Sequence, residues 1–178
     1  MNHPLHLEIG AFLDKILLPE KCQLLLAPEC GGTHNLPLFC RQEKSNDAEY
    51  CNVDAMVIKD GKICFLLEIE ETGLTPTKIC GKFLTSALST HFIHDVRNNA
   101  VTLMDSQVTF MQVMDASSLK PNTMKIKQGQ LLEASIQSIL PLRNILIYCL
   151  FYFNGVQEFQ SNETKKSDLQ EVYLRACG

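Results

Sequence analysis

Three carboxylates and two lysines stand in surroundings that surface charges rarely occupy. Asp54 lies between Val53 and Ala55, and Glu68 and Glu70 sit within Phe65-Leu66-Leu67-Glu68-Ile69-Glu70. Glu68 and Glu70 are two apart, so on a β-strand both point to one face, side by side. Adjacent carboxylates repel, more strongly in a low-dielectric interior, unless a cation or a shared proton compensates. A hard divalent cation that takes oxygen ligands, Mg²⁺ or Mn²⁺, meets that need. Such an ion lowers the pKa of a bound water and stabilises charge on phosphate oxygens, which is the chemistry of phosphodiester hydrolysis. Lys78 and Lys82, four apart and hence on one helical face, follow closely and could steady a phosphate or orient the attacking water. The competing reading is that acids at a solvent-exposed strand end simply pair with these lysines.

Whether Asp54 joins the two glutamates depends on a turn. Residues 52–58 and 62–70 are β-prone runs flanking Lys59-Asp60-Gly61, a strong hairpin signal. A two-residue loop of Asp60-Gly61 pairs Lys59 with Lys62 and sets Asp54 opposite Leu67, away from both glutamates. A three-residue loop pairs Ile58 with Lys62, sets Asp54 opposite Leu66, and brings Asp54, Glu68 and Glu70 to one face. The metal site therefore requires the three-residue, bulged connection, and a two-residue loop without another bulge counts against it.

The remaining elements follow from periodicity. Leu5, Ile9, Phe12, Leu13, Ile16 and Leu17 line one face of a helix stopped by Pro19. Leu24-Leu25-Leu26 is a brief element, Gly31-Gly32-Thr33 a turn with no lysine in phosphate-loop register, and 36–41 a short strand. Thr75-Pro76 opens a helix lined by Ile79, Phe83, Leu84, Ala87, Leu88 and Phe92, which places His91 and His94 late in it. Residues 108–114 read as a strand, 128–140 as a helix stopped by Pro141, 145–153 as a buried strand and 166–176 as a terminal helix. The polar stretch 157–166 reads as a mobile connection. This order specifies a mixed α/β domain with helices on the faces of the sheet.

Composition narrows the partners. The chain has 178 residues, 46% apolar and 20% charged, which suits one globular domain spanning 1–178 and excludes extensive disorder. A net charge of −4 excludes a strongly basic coat protein, so contact with nucleic acid must be local. Lys120, Lys125 and Lys127, and the pair Lys165-Lys166, are candidates for phosphate contacts or solvated faces. The longest apolar run, 145–153, is too short to span a bilayer as a helix, so no membrane partner is expected. Met1-Asn2-His3-Pro4 lacks the marks of a signal peptide, which points to a cytoplasmic protein whose eight cysteines are thiols. No two of those cysteines have the close spacing of a zinc site.

The run Asn52-Val53-Asp54-Ala55, a hairpin turn, Leu67-Glu68-Ile69-Glu70 and a following helix together resemble the PD-(D/E)xK nuclease superfamily. That superfamily includes restriction endonucleases, Holliday junction resolvases and transposon end-cleaving nucleases. The resemblance covers roughly residues 1–115 and implies a restriction endonuclease-like, three-layer α-β-α domain with a mixed central sheet and an α-β-β-β-α-β core. It implies that Asp54 is the first metal-binding acid and Glu68 the second, with Glu70 at the position usually held by the catalytic lysine. Some members carry Glu there, and others recruit a lysine from the next helix, which would be Lys78 or Lys82. Glu8 and Glu49 are candidates for a further acid, and Val53 stands where the motif has proline. The implied function is a Mg²⁺- or Mn²⁺-dependent DNA endonuclease of restriction or repair type, acting as a homodimer on duplex DNA. The alternative is a nuclease-like domain without catalysis that serves as a DNA-binding or assembly subunit.

Overall fold

A computed structural model describes residues 3–94 and 100–178. In chain order the elements are α1 (Pro4–Asp14), β1 (Cys22–Leu26), β2 (Leu36–Phe39), β3 (Glu49–Val53), β4 (Ala55–Lys59), β5 (Lys62–Glu70) and α2 (Pro76–Leu88). There follow β6 (His91–His94), β7 (Ala100–Asp115), α3 (Lys125–Ser138), β8 (Ile145–Phe153), α4 (Gly155–Ser161) and α5 (Glu163–Cys177).

The strands form one mixed sheet in the order β1-β4-β5-β7-β6-β2-β3, with β8 also beside β7. β5, β7 and β8 are mutually parallel, and every other pairing is antiparallel. β7 reaches all three neighbours because it is 16 residues long. Its first residues pair with β6, and its second half pairs with β8. Parallel strands need crossovers, and the segment with α2 links β5 to β7 as α3 links β7 to β8.

Helices cover both faces. Alternate residues of β5 point to opposite sides. Leu66 joins Ile79 and Phe83 of α2, Phe110, Tyr148 and Ile136 in one core. Phe65, Leu67 and Ile69 join Leu5, Ile9 and Leu13 of α1, Phe159 of α4 and Leu169 and Tyr173 of α5 in the other. The fold is thus α/β with a mixed sheet between helical layers. α1 lies close against the preceding core because Gly10 has no side chain, and a Cβ there would stand 2.1 Å from the Cys30 carbonyl oxygen.

The hairpin turn departs from the expected one. Lys59 pairs with Lys62, so the loop is the two-residue Asp60-Gly61, with φ of 49° and 79°. Two consecutive positive φ values suit the twist of a tight hairpin. The extra residue lies further along instead: Val57 pairs with Phe65 and Ile58 with Ile63, leaving Cys64 as a bulge. That bulge shifts the register to Ala55 opposite Leu67, which carries Asp54 opposite Glu68 and restores the shared face by another route.

Other departures have local causes. The run 52–58 is two strands, because at Asp54 the chain leaves the ladder of β2 and enters that of β4 and β5. α1 ends at Asp14, where bonds from Lys15 N to Phe12 O and from Ile16 N to Leu13 O tighten the last turn, and Leu17 is exposed. His91 and His94 lie in a strand and not in a helix: Ser89 is extended, Ser89 Oγ bonds back to Thr85 O, and Thr90 N donates to Phe39 O. The stretch 157–166 is helical, because Phe159 packs edge-on against Phe12 and Phe153 while Glu158 accepts from Asn154 N and Lys165. The free edge of β8 is blunted by α3: Leu150 N donates to Glu133 Oε1, and Gln137 Nε2 donates to Tyr148 O.

Candidate metal and active site

β5 carries Glu68 and Glu70 to the end of the sheet where α2 begins, and the bend at Asp54 sits beside them. Asp54 is held by two backbone bonds: its N–H donates to Leu67 O at 3.0 Å, and its Oδ2 accepts from Ile69 N at 2.6 Å. Its carboxylate thus takes the ladder position that the bend vacates, at the rim of the sheet.

Thr75 caps α2, its side chain accepting from Lys78 N, and Pro76 fits the first turn. This start places Lys78 and Lys82 over the strand. Lys82 Nζ lies 3.0 Å from Glu68 Oε2, and Lys78 Nζ lies 3.1 Å from Glu70 Oε1. All five residues singled out from the sequence therefore meet in one place.

The two glutamates differ sharply. Glu68 is 2% exposed, and its Oε1 has no hydrogen-bond partner. Burial first, then the charge of Asp54, push its carboxyl up to about 8, against a smaller opposing pull from Lys82. Lys82 is 42% exposed, so its ammonium is too well hydrated to offset both effects. The Lys82 ammonium is itself raised: burial opposes its charge, and the Glu68 carboxylate outweighs that. For Glu70, burial works upward, but bonds from Thr72 and Lys78 prevail and the net shift is downward. Thr72 N donates to Glu70 Oε1 at 2.7 Å, and the Thr72 hydroxyl bonds both that oxygen and Lys78 Nζ.

An orphaned carboxylate oxygen, buried beside a second carboxylate, lacks positive charge. A divalent cation fits that deficit, because it would favour the ionised form of Glu68 and give Oε1 a partner. Asp54 and Glu68 are the residues best placed to hold it, whereas Glu70 is already engaged.

Sequence reasoning missed two residues at this centre. His6 of α1 is buried, with Nδ1 2.6 Å from Glu71 Oε1 and Nε2 3.6 Å from Asp54 Oδ2. Burial lowers the basicity of its imidazole, but Asp54 and then Glu71 raise it by more, to about 9. Glu71 Oε1 also accepts from Leu5 N and His6 N, 3.1 Å each, and so caps a helix that has no capping side chain of its own. No local signal points to this pairing, since 65 residues separate the partners. His3, His6 and Glu71 also bring ligand atoms within 4.8 Å of one another.

The further acids proposed from the sequence lie elsewhere. Glu8 borders a depression with Phe12, Lys15 and Phe159, and Glu49 accepts from Asn52 Nδ2 on the exposed strand β3. Lys165 and Lys166 are used within the fold, paired with Glu158 and Glu163 at 2.7 Å each. Lys120, Lys125 and Lys127 follow the C-terminal end of β7, which pairs in parallel with the Glu70 end of β5.

A groove of about 590 Å³ opens onto the site, walled by Tyr50, Cys51, Asn52, Thr77, Gly81 and Thr85, with Glu70, Lys78 and Lys82 along it. A separate cavity of about 300 Å³, lined by Leu24, His34, Phe92 and His94 among others, holds none of the five residues. All eight cysteines are free thiols. Among the described residues no helix is long and apolar enough to cross a membrane. No family model, no curated protein and no solved structure matches the chain.

Proposed function

We propose that the protein is a Mg²⁺- or Mn²⁺-dependent DNA endonuclease of the restriction or repair type, built on a restriction endonuclease-like version of this α/β fold. The observation that carries the reading is Glu68, a buried carboxyl with an orphaned oxygen, opposite Asp54 and within reach of Lys82. The element order supports it. With β2, β3 and β6 set aside as additions, the chain from α1 to β7 runs helix, three strands, helix, strand.

The bound ion supplies a water of lowered pKa and neutralises charge on the phosphate. Asp54, fixed by Leu67 O and Ile69 N, and Glu68, fixed in the sheet, provide oxygen ligands. Lys82 Nζ is a donor on the groove side of Glu68 and can orient the attacking water or a phosphate oxygen. Lys78 and Glu70 sit further out along the groove, where a phosphate backbone would lie. Symmetric cleavage of a duplex would engage a homodimer, with DNA as the partner.

The test is cleavage of supercoiled plasmid and branched DNA with Mg²⁺ or Mn²⁺, comparing wild type with Asp54→Ala and Glu68→Ala. Metal-dependent cleavage that drops by about 10³-fold or more in both variants is the expected result. Absence of cleavage with every DNA form moves the reading to a DNA-binding or assembly subunit, which the closed Glu70–Lys78–Thr72 cluster favours, since it leaves no third carboxylate open.

A further inference from the structure

We propose that His6 is a nitrogen ligand of the cation bound by Asp54 and Glu68, oriented by Glu71, and that it makes the site prefer Mn²⁺ to Mg²⁺. The inference rests on the reading of Asp54 and Glu68 as metal ligands.

Geometry supports it at both nitrogens. Two donors roughly 2.1 Å from one ion stand roughly 3.0–3.6 Å apart for angles of about 90–120° at the metal. His6 Nε2 and Asp54 Oδ2 are 3.6 Å apart, too far for a good hydrogen bond and right for a shared ion. His6 Nδ1 and Glu71 Oε1, at 2.6 Å, are too close to share one and form a hydrogen bond. An imidazole that faces a metal site with one nitrogen and donates from the other to a carboxylate is the usual arrangement of a histidine ligand.

The imidazole is also held rigidly. The same Glu71 oxygen accepts from Leu5 N and His6 N, so ring and helix start are fixed to one carboxylate. Gly10, one turn along, sets α1 against the Cys30 carbonyl. When an ion enters, the Nε2 proton leaves to solvent, its place is taken by the metal, and the Nδ1 proton remains toward Glu71. Imidazole suits Mn²⁺ better than Mg²⁺, which holds to oxygen donors and water.

The readout is electron spin-echo modulation of Mn²⁺ bound to the full chain, with affinities from a parallel Mn²⁺ and Mg²⁺ titration. Wild type is expected to show modulation from a coordinated ¹⁴N. His6→Gln is expected to bind Mn²⁺ still, without that modulation and at least about tenfold more weakly, while Mg²⁺ affinity changes less than about twofold. Glu71→Gln is expected to keep the modulation and lose about tenfold in Mn²⁺ affinity. Should His6→Gln fail to fold, histidine labelled with ¹⁵N in wild type must replace the ¹⁴N pattern. Mn²⁺ binding that Asp54→Asn and Glu68→Gln abolish, with no nitrogen modulation in wild type, overturns the role of His6 and leaves the carboxylate site intact. Binding indifferent to both of those variants overturns the site reading, and this inference with it. Modulation that survives His6→Gln but is lost in His3→Ala places the ion between His3 and Glu71 and also overturns the proposal.

Discussion

Two carboxylate–lysine pairs lie side by side on one strand and one helix, and they behave oppositely. The outer pair, Glu70 and Lys78, has a 3.1 Å contact, a threonine that bonds both partners, and side chains 18% and 36% exposed. The inner pair, Glu68 and Lys82, has a nearly equal contact of 3.0 Å, yet its acid is buried and holds an oxygen that nothing satisfies. Water and Thr72 stabilise the outer carboxylate, which is shifted down. Burial and Asp54 destabilise the inner one, which is shifted up. Ion-pair distance therefore does not identify a functional acid, because the surroundings decide whether the charge is already compensated.

The sharpest way to break this comparison is to neutralise each acid in turn. Glu68→Gln is expected to lower Mg²⁺-dependent cleavage by about 10³-fold or more, and Glu70→Gln by about tenfold or less. Equal losses in single-turnover assays would show that the outer carboxylate is also a ligand and that its pairing with Lys78 opens in use.

Titration of stability comes next. In metal-free protein the Glu68 carboxyl moves from 4.5 unfolded to about 8 folded, so the folded state holds a proton that the unfolded chain has lost. Stability from this group is fully present below about pH 4.5, falls as pH rises toward about 8, and levels off above, with a slope of at most about 1.4 kcal/mol per unit. His6, raised from 6.5 to about 9, acts with the same sign over that higher window. Urea melts of Glu68→Gln should lack the lower part of this decline, and those of His6→Gln the upper part. Saturating Mg²⁺ should flatten the Glu68 part in wild type, because the ion replaces the proton.

The smallest effects belong to the lysines. Lys82→Met leaves the buried Glu68 without its cation and is expected to cost about 1–3 kcal/mol at pH 9. Lys78→Met removes a partly exposed pair and is expected to cost about 0–1 kcal/mol, an amount that salt screens further. Denaturant midpoints at low and high salt separate the two. A larger cost for Lys78 would place the outer pair at the centre of the site.

Much of this was legible in the residues. Period-two patterning located β5, the Thr75-Pro76 start located α2, and the four-residue spacing of Lys78 and Lys82 put both over the strand. The α/β class with a mixed sheet followed from the element order. The turn was not legible in full: Lys59-Asp60-Gly61 announced a hairpin, but the bulge at Cys64 leaves no mark in composition, since an unpaired cysteine in an apolar run looks like any other core residue. Residues 157–166 look like a linker because their one anchor, Phe159, has partners in α1 and β8. His91-Phe92-Ile93-His94 continues a helical pattern locally, yet it is a strand because β2 and β7 offer its backbone partners.

The chain by itself determined which residue types stand two and four apart, and hence that Glu68 with Glu70, and Lys78 with Lys82, share a face wherever a strand and a helix form. Those are local facts, since backbone geometry repeats every two or 3.6 residues whatever lies beyond. Tertiary structure decided which acid lost its water, that Asp54 came opposite Glu68, and that His6 reached both Asp54 and Glu71 from the chain's other end. Burial and charge proximity depend on distances between segments far apart in sequence, and no local pattern encodes those.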